Sequence, residues 1–457
     1  MSVILTHGAI VLGLLAAGAA IIWVLQQRRS PQSALAWILF IVLVPYVGVP
    51  LFFALGIRKR GTGYAEIAFA PGAPGAPSAA GNPVHRLDDQ LTRLGLPAAA
   101  SGHAILFETE PQSARASLLR LITEARASLD IVLYRLDPDA YGEEFVAALT
   151  EAAARGVQVR LILDQFGTWR RPRKALRALR EAGGHVLLFS PVHNLSATGR
   201  LNLRNHRKMV IADGEKVWSG GRNVGRSYLG PQNDPKTWLD LSFVITGPVV
   251  QRYKEVFDSD WTRHPGAALA PSVPAPTAGG DAVAQIIPSG PDLPHDGLHD
   301  ALVHAIHIAR ERVWIATPYL LPTDQLQHAL TSAARLGRDV RLIVPTRSNQ
   351  HLADFARGAY LRHLEEAGCR ILRHTGPMLH AKSAIFDDAA IIGSANLDVR
   401  SMLLNFETAL ALYDAGSVAT LAAWFATLER DCEEGTKPAS LPRRLAEATF
   451  RLGAPIL

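Results

Sequence analysis

The chain has 457 residues, 48% of them hydrophobic, so it exceeds one ordinary domain, or holds a duplicated one, with ample length to bury a core. Its 47 Lys+Arg against 41 Asp+Glu make it mildly basic, which suits an anionic lipid surface or a nucleic acid without choosing between them. The two cysteines, Cys369 and Cys432, stand in no metal-type or Cys-x-x-Cys spacing, which excludes a disulfide framework and a structural zinc site.

The first 60 residues hold two apolar stretches. Val3 to Leu25 is apolar apart from Thr6 and His7, and Ala34 to Ile57 carries no charged residue. At 1.5 Å per residue each can cross a bilayer core of about 30 Å, so residues 1–60 read as two transmembrane or re-entrant helices. Trp23, Trp37 and Tyr46 suit the interface, and Pro45, Gly48 and Pro50 predict a kink in the second stretch. A cleaved signal peptide fits poorly, because no basic residue precedes the first stretch and a second follows at once. Arg58, Lys59 and Arg60 beyond the hairpin outnumber Arg28 and Arg29 within it, which favours a cytoplasmic C-terminal portion.

Residues 61–102 are rich in Ala, Gly and Pro and read as a tether, and 265–281 as a linker between two blocks, 103–264 and 282–435; 436–457 is a tail. The blocks repeat one pattern. Helix-to-strand passages lead from Glu124 to Ile131 and from Ile308 to Ile315. Amphipathic helices over about 141–155 and 323–336 stop at Gly156 and Gly337, and β-rich runs follow at 157–163 and 340–344. Further helices end at Gly183 and Gly368, before short strands at 186–189 and 371–372. Strands alternating with helices predict an α/β fold.

Each block then carries one motif. His206-Arg-Lys208 followed by Asp213 recurs 174 residues later as His380-Ala-Lys382 followed by Asp387. Each copy leads through an apolar run into a glycine turn ending in asparagine: Gly220-Gly221-Arg-Asn223 and Gly393-Ser394-Ala-Asn396. The His-x-Lys segments themselves read as strands, with His and Lys on one face by period-two alternation. A single His-x-Lys is commonplace, whereas two at the same spacing predict a pseudo-symmetric site built from two halves.

Two imidazoles and two ammonium groups suit attack on a phosphodiester. A neutral imidazole can act as nucleophile and form a phosphohistidine, while a protonated one serves the leaving oxygen. Lys208 and Lys382 supply charge for the phosphate, and Asn223 and Asn396 supply amide donors. No carboxylate cluster suggests a metal, so the chemistry is expected to need neither metal nor other cofactor. The residues leave open which histidine attacks, because the repeat makes them equivalent. Asp213 and Asp387 read equally well as turn residues and as ordering groups, and the shorter second hairpin makes Asp388 an alternative to Asp387.

The chain resembles the phospholipase D superfamily, marked by paired His-x-Lys-x4-Asp motifs with a trailing Gly-Ser-x-Asn, over roughly 103–435. Within it, the two-helix N-terminus with Ser33-Ala-Leu-Ala-Trp37, the Gly221 variant of the first motif, and the tails Trp238-Leu-Asp240 and Asp398-Val-Arg400-Ser401 before Asn405-Phe-Glu407 look most like bacterial cardiolipin synthases. The resemblance implies two phospholipase D-like α/β repeats packed about a pseudo-two-fold, preceded by a transmembrane helical hairpin. It implies catalytic roles for His206, Lys208, Asp213, His380, Lys382 and Asp387, with His206 as nucleophile and His380 as general acid/base. It further implies substrate binding by Asn223, Asn396, Gly221 and Ser394, and orientation of the histidines by Asp240 and Glu407.

Cardiolipin would then be made from phosphatidylglycerol in the bacterial inner membrane, with the catalytic halves cytoplasmic. Arg170, Arg171, Arg173 and Lys174, with Arg177 and Arg180, would favour anionic phospholipids as partners, or form a solvated helix face. Hydrolysis to phosphatidic acid is the alternative. The apolar segments and the lack of aromatic–basic interleaving argue against a nucleic-acid partner. Intact motifs argue against an inactive lipid-binding scaffold.

Overall fold

A computed structural model describes residues 2–27, 31–56, 64–70, 83–189, 202–263 and 279–452. The basic residues that bear on membrane orientation, Arg28, Arg29, Arg58, Lys59 and Arg60, lie outside them, as do most of the 265–281 linker and the Pro71–Pro77 run.

The N-terminal part is a set of packed helices. α1 (Ser2–Gln26) lies against α2 (Pro31–Leu43) and α3 (Pro45–Leu51), and α3 passes into a π-turn at Phe52–Gly56. The second apolar stretch is thus not one helix. It breaks at Val44, as a proline at 45 requires. Ala17, Ala20, Val24, Ile41 and Phe52 form a small shared core. Among the described residues, no helix is long and apolar enough to cross a membrane.

The first half comprises α4 (Pro83–Arg93), β1 (Ala100–Glu108), α5 (Pro111–Glu124), β2 (Ser128–Leu133), α6 (Ala140–Ala154), β3 (Gln158–Asp164), α7 (Arg173–Glu181), β4 (His185–Phe189), β5 (Met209–Ala212), β6 (Lys216–Gly220), α8 (Arg226–Leu229), β7 (Ser242–Thr246) and α9 (Val249–Thr262). The second comprises β8 (Ala282–Ser289), α10 (Gly297–Ile308), β9 (Arg312–Ala316), β10 (Leu320–Leu321), α11 (Asp324–Arg335), β11 (Asp339–Pro345), α12 (His351–Glu366), β12 (Arg370–His374), β13 (Ser383–Phe386), β14 (Ala389–Gly393), β15 (Leu397–Asp398), α13 (Val399–Leu403), β16 (Glu407–Leu412) and α14 (Ala415–Arg430), followed by β17 (Cys432–Glu434) and α15 (Leu441–Leu452).

The two halves share one 15-stranded sheet, ordered β17-β12-β11-β9-β13-β14-β16-β8-β1-β7-β6-β5-β2-β3-β4. Reading outward from the β8–β1 seam, the halves mirror each other strand for strand as far as β12 and β4, and only β17 lacks a counterpart. The central strands of each half, such as β2, β5, β13 and β16, are buried on both faces, with alternate residues feeding opposite layers. Leu129, Ile131 and Leu133 of β2 pack with α5 and α6, while Val132 joins a core that spans both halves and includes α9 and α14.

Equivalent elements are set by equivalent local chemistry. Asp139 caps α6 by accepting from the Tyr141 and Gly142 amides, and Thr323 caps α11 by accepting from Leu326. Both helices stop at a glycine in the left-handed region, Gly156 (φ 90°) and Gly337 (φ 79°). At the seam, the Val249 amide donates to His103 Nε2 at 3.0 Å, so Nδ1 donates to the Ala282 carbonyl at 3.1 Å. Burial lowers the pKa of this imidazole and favours the neutral form those bonds require.

Two segments depart from the expected layout. Within 61–102, read as a tether, the described residues are packed. Tyr64 stacks on Phe189 and meets Phe406 edge-on, Ile67 is buried and donates its amide to Asp292, and α4 buries Leu87 and Leu91 against α10. Large apolar side chains inside a small-residue composition account for this. The 436–457 tail likewise forms α15, which packs on α12 through Glu447, held by Arg362 and by Arg443 at 2.9 Å.

Candidate active site

Both motifs end at one cavity of about 360 Å³, lined by His206, Asn223, Tyr134, Arg204, Tyr228 and Trp238 of the first half and by His380, Asn396, Asp398, Arg400, Tyr319 and Asn405 of the second, among others. His206 and Lys208 are not in a strand, contrary to the period-two reading. β5 begins only at Met209, and β13 only at Ser383. The reason is that the backbone before each strand bonds the opposite half. His206 donates to the Phe406 carbonyl at 2.8 Å, and Phe406 donates to that of Arg204 at 2.9 Å. By the same pattern His380 donates to Leu239 at 2.7 Å, and Leu239 to Met378 at 2.9 Å.

The side chains cross between halves too. His206 Nδ1 lies 2.9 and 3.0 Å from the two oxygens of Glu407, and His380 Nδ1 lies 2.6 Å from Asp240 Oδ2. An ionised carboxylate can only accept, so each Nδ1 donates and each Nε2 keeps its lone pair. Burial alone would raise both carboxylates. Lys382 and His380 hold Asp240 below its ordinary value, and His206 with Lys208 does the same for Glu407. Edge-on rings brace the imidazoles, Tyr134 at 4.7 Å from His206 and Tyr228 at 5.4 Å from His380.

Lys208 Nζ donates to the His206 carbonyl at 2.7 Å, and Lys382 Nζ donates to that of His380. Burial pushes Lys208 down to about 7 and Lys382 to about 8, only partly offset by Glu407 and Asp240. Burial, then Lys382, pushes His380 down to about 3, while burial lowers His206 despite Glu407. Both imidazoles therefore favour the neutral form at neutral pH.

The remaining sequence candidates divide. Asn223 and Asn396 line the cavity; Asn223 Oδ1 also accepts from the Arg135 amide at 3.1 Å. Ser394 and Gly221 do not line it, and sit behind the carboxylates instead. Ser394 Oγ donates to Glu407 Oε2 at 2.6 Å, whereas a Cβ on Gly221 would come within 2.2 Å of Asp240 Oδ1. Glycine is needed at 221 because Asp240 fills that space.

Asp213 and Asp387 are not at the cavity. Asp213 accepts from the amides of Arg126, Ala127 and Ser128 at 2.9, 2.7 and 2.9 Å, and Asp387 from those of Arg310, Glu311 and Arg312 at 2.6, 3.0 and 2.9 Å. Each clamps the helix-to-strand turn onto its hairpin, from a residue in the left-handed region (φ 54° and 49°). The choice between Asp387 and Asp388 falls to Asp387. Its hairpin pairs Phe386 with Ala389, one residue tighter than Ala212 with Lys216.

The reading of the sequence missed Arg204, Tyr134 and Tyr319. Two signals could have found them: Arg204 shares the alternation of His206, and the tyrosines follow the equivalent strands β2 and β9. Among the described residues, no group of three or more His, Cys, Asp or Glu could hold a metal ion.

With this geometry in hand, comparison with known proteins is specific. Residues 118–261 and 302–429 match the profile of the cardiolipin synthase, PLD-like domain, and residues 15–56 that of the phospholipase D-nuclease N-terminal region. Cardiolipin synthase A of Shigella boydii is 33% identical over 428 residues, covering 88% of this chain and 87% of that protein. The enzyme of the same name from Escherichia coli O1:K1 is 32% identical over the same shares. In fold, the chain is similar to the phosphatidylserine synthase of Haemophilus influenzae (TM-score 0.62, 15% identity, 82% of this chain and 99% of that one). It is also similar to the polyphosphate kinase of Porphyromonas gingivalis (TM-score 0.51, 13% identity, 78% and 53%). Two mirrored halves, the crossed His–carboxylate pairs and this match along nearly the whole chain agree: the protein belongs to the phospholipase D superfamily and, within it, to the bacterial cardiolipin synthases.

Proposed function

We propose that this phosphatidyltransferase makes cardiolipin from two phosphatidylglycerols through a phosphohistidine at His206. The observation that carries the reading is that His206 and His380 line one cavity, each fixed through Nδ1 by a carboxylate from the other half. His206 Nε2 attacks the phosphorus, forming the P–N bond as the bond to the glycerol oxygen breaks. His380 gives that oxygen its Nε2 proton, so glycerol leaves neutral. The glycerol hydroxyl of a second phosphatidylglycerol then returns a proton to His380 and attacks phosphorus, breaking the P–N bond and freeing His206.

His380 must therefore be protonated when the donor is bound. A phosphate anion set against Lys208 and Lys382 offsets the nearby positive charge and raises the proton affinity of the imidazole. The two ammonium groups and the Asn223 and Asn396 amides serve the non-bridging oxygens, the work done elsewhere by cations and oxyanion donors. Assignment of attack to His206 rests on the family resemblance. Roles for Asp240 and Glu407 in orientation, and for Ser394 and Gly221 behind them, extend the same reading.

Substrate access points to a membrane. The profile match over 15–56 supports α1–α3 as the anchor of a bacterial membrane protein. Placing the catalytic halves on the cytoplasmic side rests on the excess of Arg58, Lys59 and Arg60 over Arg28 and Arg29 alone. Mass spectrometry of products from the reconstituted protein and phosphatidylglycerol tests the function. Cardiolipin and glycerol are expected; phosphatidic acid alone would show a hydrolase. Turnover should also persist in a strong chelator.

A further inference from the structure

Four large, partly exposed apolar side chains sit on or beside the segments that line the cavity. Phe166 and Trp169 are 65% and 64% exposed, and Leu352 and Phe355 are 50% and 42% exposed. One pair comes from each half. Phe166 lines the cavity on one side, and Asn349, Gln350 and Ala353 line it on the other, where α12 begins. Leu352 and Phe355, three residues apart, share one face of that helix, where the partly exposed Phe355 ring also meets Phe450 of α15 with centroids 5.6 Å apart.

The first pair is held outward by a stiff turn. Asp164 Oδ1 accepts from the Phe166 and Gly167 amides at 2.9 and 3.0 Å, and buried Thr168 donates its hydroxyl to the Asp164 carbonyl at 2.5 Å. Gly167 lies so close to Tyr134 that a Cβ would come within 2.1 Å of its carbonyl. Two apolar residues fixed in water by a fully bonded turn are poorly explained by folding alone.

Charge says what should cover them. Trp169 leads directly into Arg170, Arg171, Arg173 and Lys174, with Arg177 and Arg180 on α7, and all but Arg171 are exposed. Arg171 is lowered by burial and then by Arg173 and Arg180, a sign that positive charge is crowded there. Exposed apolar side chains followed at once by a run of cations fit the headgroup region of an anionic bilayer.

We propose that Phe166, Trp169, Leu352 and Phe355 form a lip that seats the cavity mouth on an anionic phospholipid bilayer, drawn there by the α7 cations. A headgroup then enters the cavity while its acyl chains stay in the bilayer. This rests on the phospholipid reading of the active site.

The test uses the full-length protein in vesicles of phosphatidylglycerol and phosphatidylcholine. The double variant W169A/F355A should raise the apparent KM on vesicles about tenfold or more, and change activity on monomeric short-chain phosphatidylglycerol less than twofold. Equal losses on both substrates, or no loss on vesicles, overturns the proposal. A second readout does not depend on turnover. Doxyl-labelled lipid should quench a component of tryptophan fluorescence that is missing in W169F, and identical quenching in the two proteins overturns the proposal. If the wild type makes no cardiolipin from either substrate while that component is present, the active-site reading fails and the bilayer contact stands.

Discussion

His206 and His380 look interchangeable in the sequence, yet their surroundings differ by single atoms. Glu407 reaches His206 with both oxygens and is itself held by Ser394, whereas Asp240 reaches His380 with one oxygen and is backed by Gly221. Replacing His206 by Ala is expected to cut turnover by at least about a thousandfold with thermal unfolding nearly unchanged, as loss of a nucleophile should. Gly221→Ala should push Asp240 off His380 and lower kcat more than it changes KM, read by steady-state kinetics on monomeric substrate.

The lysines predict a pH limb. In the proposed reaction they serve the phosphate only when protonated, and Lys208 and Lys382 are pushed down to about 7 and about 8. Hence kcat/KM should fall as pH rises through that range, and a profile flat to pH 10 would contradict the assignment.

At the scale of elements, the aspartate that ends each motif lies away from the cavity and accepts from backbone amides. Asp213→Ala removes the acceptor for three amides, so it should destabilise the protein by about 1–3 kcal/mol while kcat per folded molecule stays within a few-fold. Thermal melts and active-site titration separate the two effects. The elements themselves were largely legible, because strand and helix periods repeat at matching positions and Gly156 and Gly337 mark equivalent stops. What the sequence could not convey was partnership across the halves. Nothing near Asp240 or Glu407 announces that each serves the histidine of the other repeat, since contact between distant segments leaves no local period. His206 and Lys208 were placed in a strand because alternation does not reveal that their backbone bonds another segment. Tyr64 and Ile67 were hidden by the Ala/Gly/Pro composition around them, although two bulky side chains suffice to pin a segment.

On the scale of the whole molecule, the halves are tied by buried charge as well as by the β1–β8 seam. Arg207 is fully buried, donates to Asp260 at 2.8 Å within its own half and to Asp292 at 2.8 Å in the other, and Arg263 reaches both carboxylates at 2.9 Å. Arg207→Met would leave those carboxylates undercompensated, at a cost of about 3–5 kcal/mol, measurable by denaturant unfolding. Arg207 and Arg263 hold Asp292 below its ordinary value against the effect of burial. Its stabilisation is therefore complete above the usual carboxylate range and is lost as pH falls through the lowered value.

The crossed pairing of imidazole and carboxylate has an evolutionary corollary. Each repeat owns a histidine and an acid that serves the histidine of the other, so a single repeat could work only as a self-paired dimer. Two copies within one chain need not be identical. Here serine stands behind glutamate in one half and glycine behind aspartate in the other, an asymmetry that a self-paired dimer of identical repeats could not hold.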